Sequence, residues 1–194
     1  MLITSARYFR QFAHGRAQDR LPVGPEEAFV DLREWRLAQG LAPQPDVAVV
    51  SSSLNIPASA LEAYAERRRM IFTGEDAEHG RVAELEALGV TVTAAGDGAR
   101  VDGRLLVQHL ADAGYRSIYA IAGPQVLHTL AASRVLDYLF LTTAHRVIGG
   151  ESFDTLSWGP ALEPPLSLAL QELYYDAHAP EGAGQCLAVY RCNA

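Results

Sequence analysis

Between Ser117 and Gly150, apolar and polar positions follow one another in an order that specifies elements. Ser117-Ile118-Tyr119-Ala120-Ile121 is a short apolar, partly β-branched run, and Ala122-Gly123-Pro124 ends it with residues that permit a sharp turn. Gln125 to Ser133 then places Val126, Leu127, Leu130 and Ala131 at helical spacing. Pro124 suits the first helical position, where its missing N–H costs nothing. Tyr138 to Thr143 is a second apolar run, followed by Gly149-Gly150. The pattern predicts strand, turn, helix and strand, and such a crossover joins parallel strands of one sheet.

The same reading extends over the rest of the chain. Met1 to Thr4 reads as the tail of a strand. Ser5 to Leu21 interleaves Arg7, Arg10, Arg16 and Arg20 with Tyr8, Phe9 and Phe12, which favours an amphipathic loop or short helix over a phosphate-binding cluster. Pro25 to Gln39 is a predicted helix with Pro25 at its start, Glu26 and Glu27 in its first turn, and Phe29, Val30, Leu32, Trp35 and Leu37 as apolar surface. Val47 to Val50 is a continuous apolar run of the kind buried on both faces of a parallel sheet. Helices are expected over Ala58 to Arg67, Ala77 to Leu88 and Gly103 to Ala113, the last capped by Asp102 and closed by Gly114. Strands are expected at Met70 to Phe72 and Val90 to Thr93. Glu151 to Pro165, with Phe153 and Trp158, reads as a loop, and Leu166 to Tyr175 with Gln185 to Arg191 as a hairpin. The sum is an α/β three-layer sandwich in a single domain over residues 1–194, with a mostly parallel central sheet and a C-terminal antiparallel hairpin.

Composition narrows the function classes. At 194 residues the chain is long enough for one sizeable core, and 49% hydrophobic with 20% charged residues is ordinary for a soluble protein. A net charge of −7 argues against nucleic acid as a general partner, which would need a basic surface. Arg67-Arg68-Arg69 reads as a solvated helix end. No apolar run reaches membrane-span length and no signal peptide is evident, so a cytoplasmic location is expected. Cys186 and Cys192 fall on one predicted strand, about 20 Å apart, too far to pair. The six histidines are scattered, without the partners of a metal site, and no P-loop or nucleophile elbow is present.

Two stretches carry candidate chemistry. Gly123 before a helix presents unpaired N–H groups and the positive end of a dipole, suited to phosphate or pyrophosphate, although a plain strand-to-helix turn reads the same way. Ser51, Ser52 and Ser53 close a buried strand at the edge where open α/β sheets bind ligands. Serines there also cap turns through side-chain to backbone bonds.

Val101 to Gly150 resembles the reductase domain of the riboflavin-biosynthesis deaminase/reductase family, a relative of dihydrofolate reductase. The matching positions are Asp102, Gly114, Ile121-Ala122-Gly123-Pro124, Asp137 and Gly149-Gly150, with Ile121 and Ala122 replacing the family's Glu and first Gly. The resemblance implies a dihydrofolate-reductase-like fold and an NADPH cofactor. Its 2′-phosphate would lie near Ser51, Ser52 and Ser53, and its pyrophosphate along Ala122, Gly123, Pro124 and Gln125. It further implies a small-molecule substrate, the ribosyl of a phosphoribosylamino-pyrimidine reduced to ribityl, and a homodimer. Thr4 and Arg7 stand where the family places a Gly and a Thr near the nucleotide. The family's opening strand has no counterpart, so the expectation is a sheet lacking its first strand or a fragment. The zinc-binding deaminase half has no counterpart either. No catalytic residue is assigned. A reductase of the same fold acting on a pterin, folate or other small substrate is the related alternative. A non-catalytic binding or assembly protein is the alternative from another class, motivated by the missing strand, Ala122 and Arg7.

Overall fold

The computed structural model of the protein describes residues 1–16, 26–121, 123–151 and 155–193. The first unit is β1 (Leu2–Ser5) and α1 (Ala6–Ala13), followed by a 3-10 turn (Glu27–Phe29) and α2 (Val30–Ala38). Then come β2 (Val47–Val50), α3 (Ala58–Glu62), β3 (Arg69–Thr73), α4 (His79–Ala87) and β4 (Thr91–Ala94). The predicted crossover is α5 (Gly103–Asp112), β5 (Tyr119–Ala120), α6 (Pro124–Ala132) and β6 (Tyr138–Ala144), and the hairpin is β7 (Ser167–Asp176) with β8 (Gln185–Asn193).

Five strands form a parallel sheet in the order β4-β3-β2-β1-β5, and three form an antiparallel sheet in the order β6-β8-β7. Alternation along β2 and β3 divides the core between the two faces of the parallel sheet. Val47, Val49 and Ile71 pack with Phe9 of α1, Leu61 of α3 and Leu85 of α4. Ala48, Met70 and Phe72 pack with Leu106 and Leu110 of α5 and with Val126 and Leu130 of α6. Helices on both faces make the three expected layers, and the β2 run is apolar throughout because both sides are covered.

Several elements differ from their predicted extents, each for a local reason. β1 runs one residue past its predicted end, to Ser5, and lies between β2 and β5, where it pairs with both. α3 ends at Glu62, because the next residues tighten into i→i+3 turns that bury Tyr64 against Phe9, with ring centroids 5.0 Å apart. The three arginines therefore do not cap a helix. Arg67 lies over the Tyr64 ring, and Arg69 donates to the Leu61 and Leu88 carbonyls. α2 has no buried residue and leaves Leu32, Trp35 and Leu37 exposed. Its predicted start at Pro25 lies outside the described residues, as do Arg20 and Phe153.

The crossover does not close a single sheet. β5 is two residues long, pairing Tyr119 with Leu2 and Ala120 with Ile3. No backbone hydrogen bond joins it to β6 among the described residues. The two sheets meet through the stacked rings of Tyr119 and Phe140, 6.0 Å between centroids. Cys186 and Cys192 both lie on β8 and are free thiols. No helix is long and apolar enough to cross a membrane among the described residues.

Candidate functional site

A cavity of about 950 Å³ opens at the C-terminal ends of β1 and β2, against the first turns of α1 and α6. Each wall follows from local chemistry. Ser5 caps α1 by accepting from the Tyr8 N–H at 3.4 Å, while Ala6 and Phe9 anchor the helix in the core. Arg7 and Arg10, with Ala6 itself, are thereby left lining the cavity. Arg10 is steadied by donating to the Asn55 carbonyl at 2.9 Å. Thr4, one residue before, is buried in the sheet rather than in the cavity wall, and its Oγ1 has no partner among the described residues.

The serine run divides its labour. Ser51 is buried and its Oγ accepts from the Leu54 N–H at 3.0 Å, holding a turn in which Leu54 takes a positive φ of 53°. Ser52 and Ser53 are exposed, and all three serines line the cavity. Ser53 Oγ is 3.4 Å from the Asn55 N–H it accepts.

Gly123 is the residue before α6, with φ −70° and no side-chain cap, and Pro124 fills the first helical position. A Cβ added to Gly123 would meet nothing within 4 Å, so the turn faces open space. Gly123, Pro124 and Gln125 line the same cavity as the serines, which places the positive end of α6 on it. Ile121, on the preceding turn, is 37% exposed. Ala122 lies outside the described residues.

Arg100 completes the cationic wall. Its segment closes on the end of β4 through the Asp102 N–H to Ala95 carbonyl bond of 2.7 Å, and its approach to the end of β3 requires Gly74, whose Cβ would stand 2.1 Å from the Gly98 carbonyl oxygen. Asp102 caps α5, its Oδ1 accepting from Arg104 N–H at 2.7 Å and Leu105 N–H at 3.2 Å. Three arginines thus face a cavity whose lining contains no carboxylate among the described residues, in a chain of net charge −7. The arrangement can bind an extended anion.

Sequence reasoning missed the remaining wall. Thr155, Trp158, Gly159 and Pro160 line the cavity, and His128 of α6 holds them there. The Trp158 N–H donates to the Pro124 carbonyl at 3.1 Å, and the His128 Nε2–H donates to the Pro160 carbonyl at 2.8 Å. The only sequence signal was an aromatic residue between loop breakers, which carries no partner information. No cluster of three or more metal-ligating side chains occurs among the described residues.

The comparisons with known proteins agree with this architecture. A pyrimidine reductase-like protein from Corynebacterium diphtheriae superposes with a TM-score of 0.72 at 16% identity, covering 100% of this chain and 75% of that one. RibD from Acinetobacter baumannii superposes in two forms with a TM-score of 0.62, at 12% and 13% identity. The chain spans 46% of each of those RibD chains. At such identities the likeness shows the fold. No curated protein sequence matches. The profile of the RibD C-terminal domain matches residues 6–174. That match takes in both sides of the cavity, from Arg7 on α1 to Trp158, and the chain belongs to the RibD C-terminal domain family.

Proposed function

We propose that the protein is an NADPH-dependent reductase that acts on a small molecule of the phosphoribosylamino-pyrimidine class. The observation that carries the reading is a cavity with Arg7, Arg10 and Arg100 on its wall and no carboxylate among the described residues that line it, with exposed serine hydroxyls at the end of β2 and the N-terminus of α6 beside them. Family membership and the pyrimidine reductase-like neighbour support it.

The donor set fits a dinucleotide phosphate. Ser52, Ser53 and Arg7 would hold the 2′-phosphate, with Ser51 supporting them through its bond to Leu54. Gly123 and Gln125 would take the pyrophosphate at the α6 N-terminus, where the open space before Gly123 admits it. When bound, the nicotinamide would supply a hydride to the C1′ imine carbon of the ring-opened ribosylamine, whose nitrogen takes a proton from solvent to give the ribitylamine. The chain's own part is to position both molecules and to keep water from between them, which requires no catalytic triad. The reading also includes a homodimer, supported by uncovered Phe140, Leu170, Leu173 and Tyr174 on β6 and β7.

Consumption of NADPH in the presence of a phosphoribosylamino-pyrimidine, followed by absorbance and by mass analysis of a ribityl product, tests the proposal. Turnover with that substrate and none with its ribityl counterpart supports it. Cofactor binding without turnover on any pyrimidine, pterin or folate substrate would favour a non-catalytic binding protein. Sedimentation as a monomer at micromolar concentration would contradict the homodimer.

A further inference from the structure

The segment carrying Trp158 is fastened to α6 and to the turn that follows it. The Trp158 N–H is bound to the Pro124 carbonyl, the Pro160 carbonyl to His128, and the Pro164 carbonyl to the Arg134 guanidinium. Gly159 is the tight point. A Cβ there would lie 2.4 Å from the His128 ring, so the imidazole and the strap fit together only because position 159 has no side chain. His128 therefore does two things, packing on Gly159 and donating to Pro160.

A backbone so anchored leaves the Trp158 indole no role in the core. Trp158 is 65% exposed and lines the same cavity as Gly123 and Gln125. A large rigid ring held at a cavity wall is a platform on which another planar ring stacks. Its place along the cavity follows from the sheet. The serines stand at the end of β2, β1 lies next, and β5 with the α6 turn lies beyond it, where the strap is attached. Resting on the cofactor reading above, the phosphates span from the serines to Gly123, and Trp158 lines the cavity next to that end, tied to Pro124.

We propose that Trp158 is a stacking platform for a planar six-membered heteroaromatic ring, the nicotinamide of the cofactor or the pyrimidine of the substrate, and that His128 and Gly159 form the latch that sets it. No bond changes in this step. The latch residues are positioning residues.

The chain has two tryptophans, Trp35 on α2 and Trp158. Trp35→Phe thus makes Trp158 the sole indole reporter in the full-length protein. Its emission is titrated with NADP⁺, with 2′,5′-ADP and with uridine monophosphate, while calorimetry follows binding independently. The expected result is that 2′,5′-ADP binds without changing Trp158 emission, and that NADP⁺, or uridine monophosphate added over 2′,5′-ADP, quenches it; which of the two quenches identifies the ring. Trp158→Leu should weaken the quenching ligand by about tenfold and leave 2′,5′-ADP unaffected. Gly159→Ala should do the same with Trp158 present, and should raise access of acrylamide to the indole.

Quenching by 2′,5′-ADP alone would overturn the placement, since the indole would then face the adenosine end. Unchanged NADP⁺ and uridine monophosphate affinity in Trp158→Leu would overturn the platform while leaving the cofactor reading intact. Failure of the folded protein to bind any of the three ligands would overturn both.

Discussion

The rings of Tyr119 and Phe140 stack 6.0 Å apart at 25°, and this contact spans the seam between the five-stranded and three-stranded sheets. A side-chain contact joins what a hydrogen-bond ladder would join within a single sheet. Phe140 is 60% exposed, so its removal costs the aromatic pair more than core burial. Phe140→Ala should lower stability by about 1 kcal/mol, seen as a fall in Tm of roughly 2–4 °C. Phe140→Tyr should keep the native value, and equal losses in both variants would contradict the assignment to ring stacking.

Leu106 is fully buried between α5 and the parallel sheet, whereas its neighbour Leu105 is exposed. Leu106→Ala should cost about 2–5 kcal/mol by lost transfer energy and a residual cavity. Leu105→Ala should stay within about 0.5 kcal/mol. Urea unfolding of both variants checks the difference, and similar losses would mean that the helix face is wrongly assigned.

Tyr115 ties the start of β5 to the start of β2 through its hydroxyl, which donates to Asp46 Oδ2 at 2.6 Å. Burial, then the bond to Asp46, raises its pKa above the ordinary value of 10.0. The folded state therefore holds the phenolic proton more tightly than the unfolded state. The contribution is fully present below pH 10.0 and is lost as pH rises through the higher folded value. Tyr115→Phe should be less stable at neutral pH, and its disadvantage should shrink above that range. A gap constant up to strongly alkaline pH would contradict the linkage.

The two thiols of β8 should react differently. Cys192 is 7% exposed, and burial followed by the nearby Asp137 raises its pKa, so less thiolate is available. Cys186 is partly exposed, with its Sγ 3.5 Å from His145 Nε2. A disulfide-exchange chromophore should titrate one thiol rapidly in the native protein and the second only on unfolding. Cys186→Ser should abolish the rapid phase, and persistence of that phase would reverse the assignment.

How much of this was legible in the sequence depended on the range of the contacts involved. The Asp102 cap and the Pro124 helix start are settled within a few residues, and both elements lie where the pattern put them. The β2 run and the serines after it were equally plain, since a strand covered on both faces must be apolar and must end in polar residues. What each serine does was not, because Ser51 and Ser52 are the same residue type and only the turn at Leu54 separates a buried cap from an exposed hydroxyl. The apolar pattern of α2 predicted a packed face, yet no element among the described residues covers Trp35 or Leu37. β5 read as five residues and forms two, since its length is set by pairing with Leu2 and Ile3 far away in the chain. The strap over α6 was hidden for the same reason, as His128 and Pro160 are 32 residues apart and the fit turns on a missing side chain at Gly159.

The most direct test of the cofactor reading is a binding titration of the chain with NADPH and NADH side by side, repeated for Arg7→Ala and Gly123→Val. Gly123 has an ordinary φ and space for a side chain, so the valine variant should fold and fill only the turn before α6. The expected result is saturable binding that prefers NADPH, loss of that preference in Arg7→Ala, and loss of both ligands in Gly123→Val. Equal affinity for NADPH and NADH in the native chain, or native affinity in Gly123→Val, would contradict it.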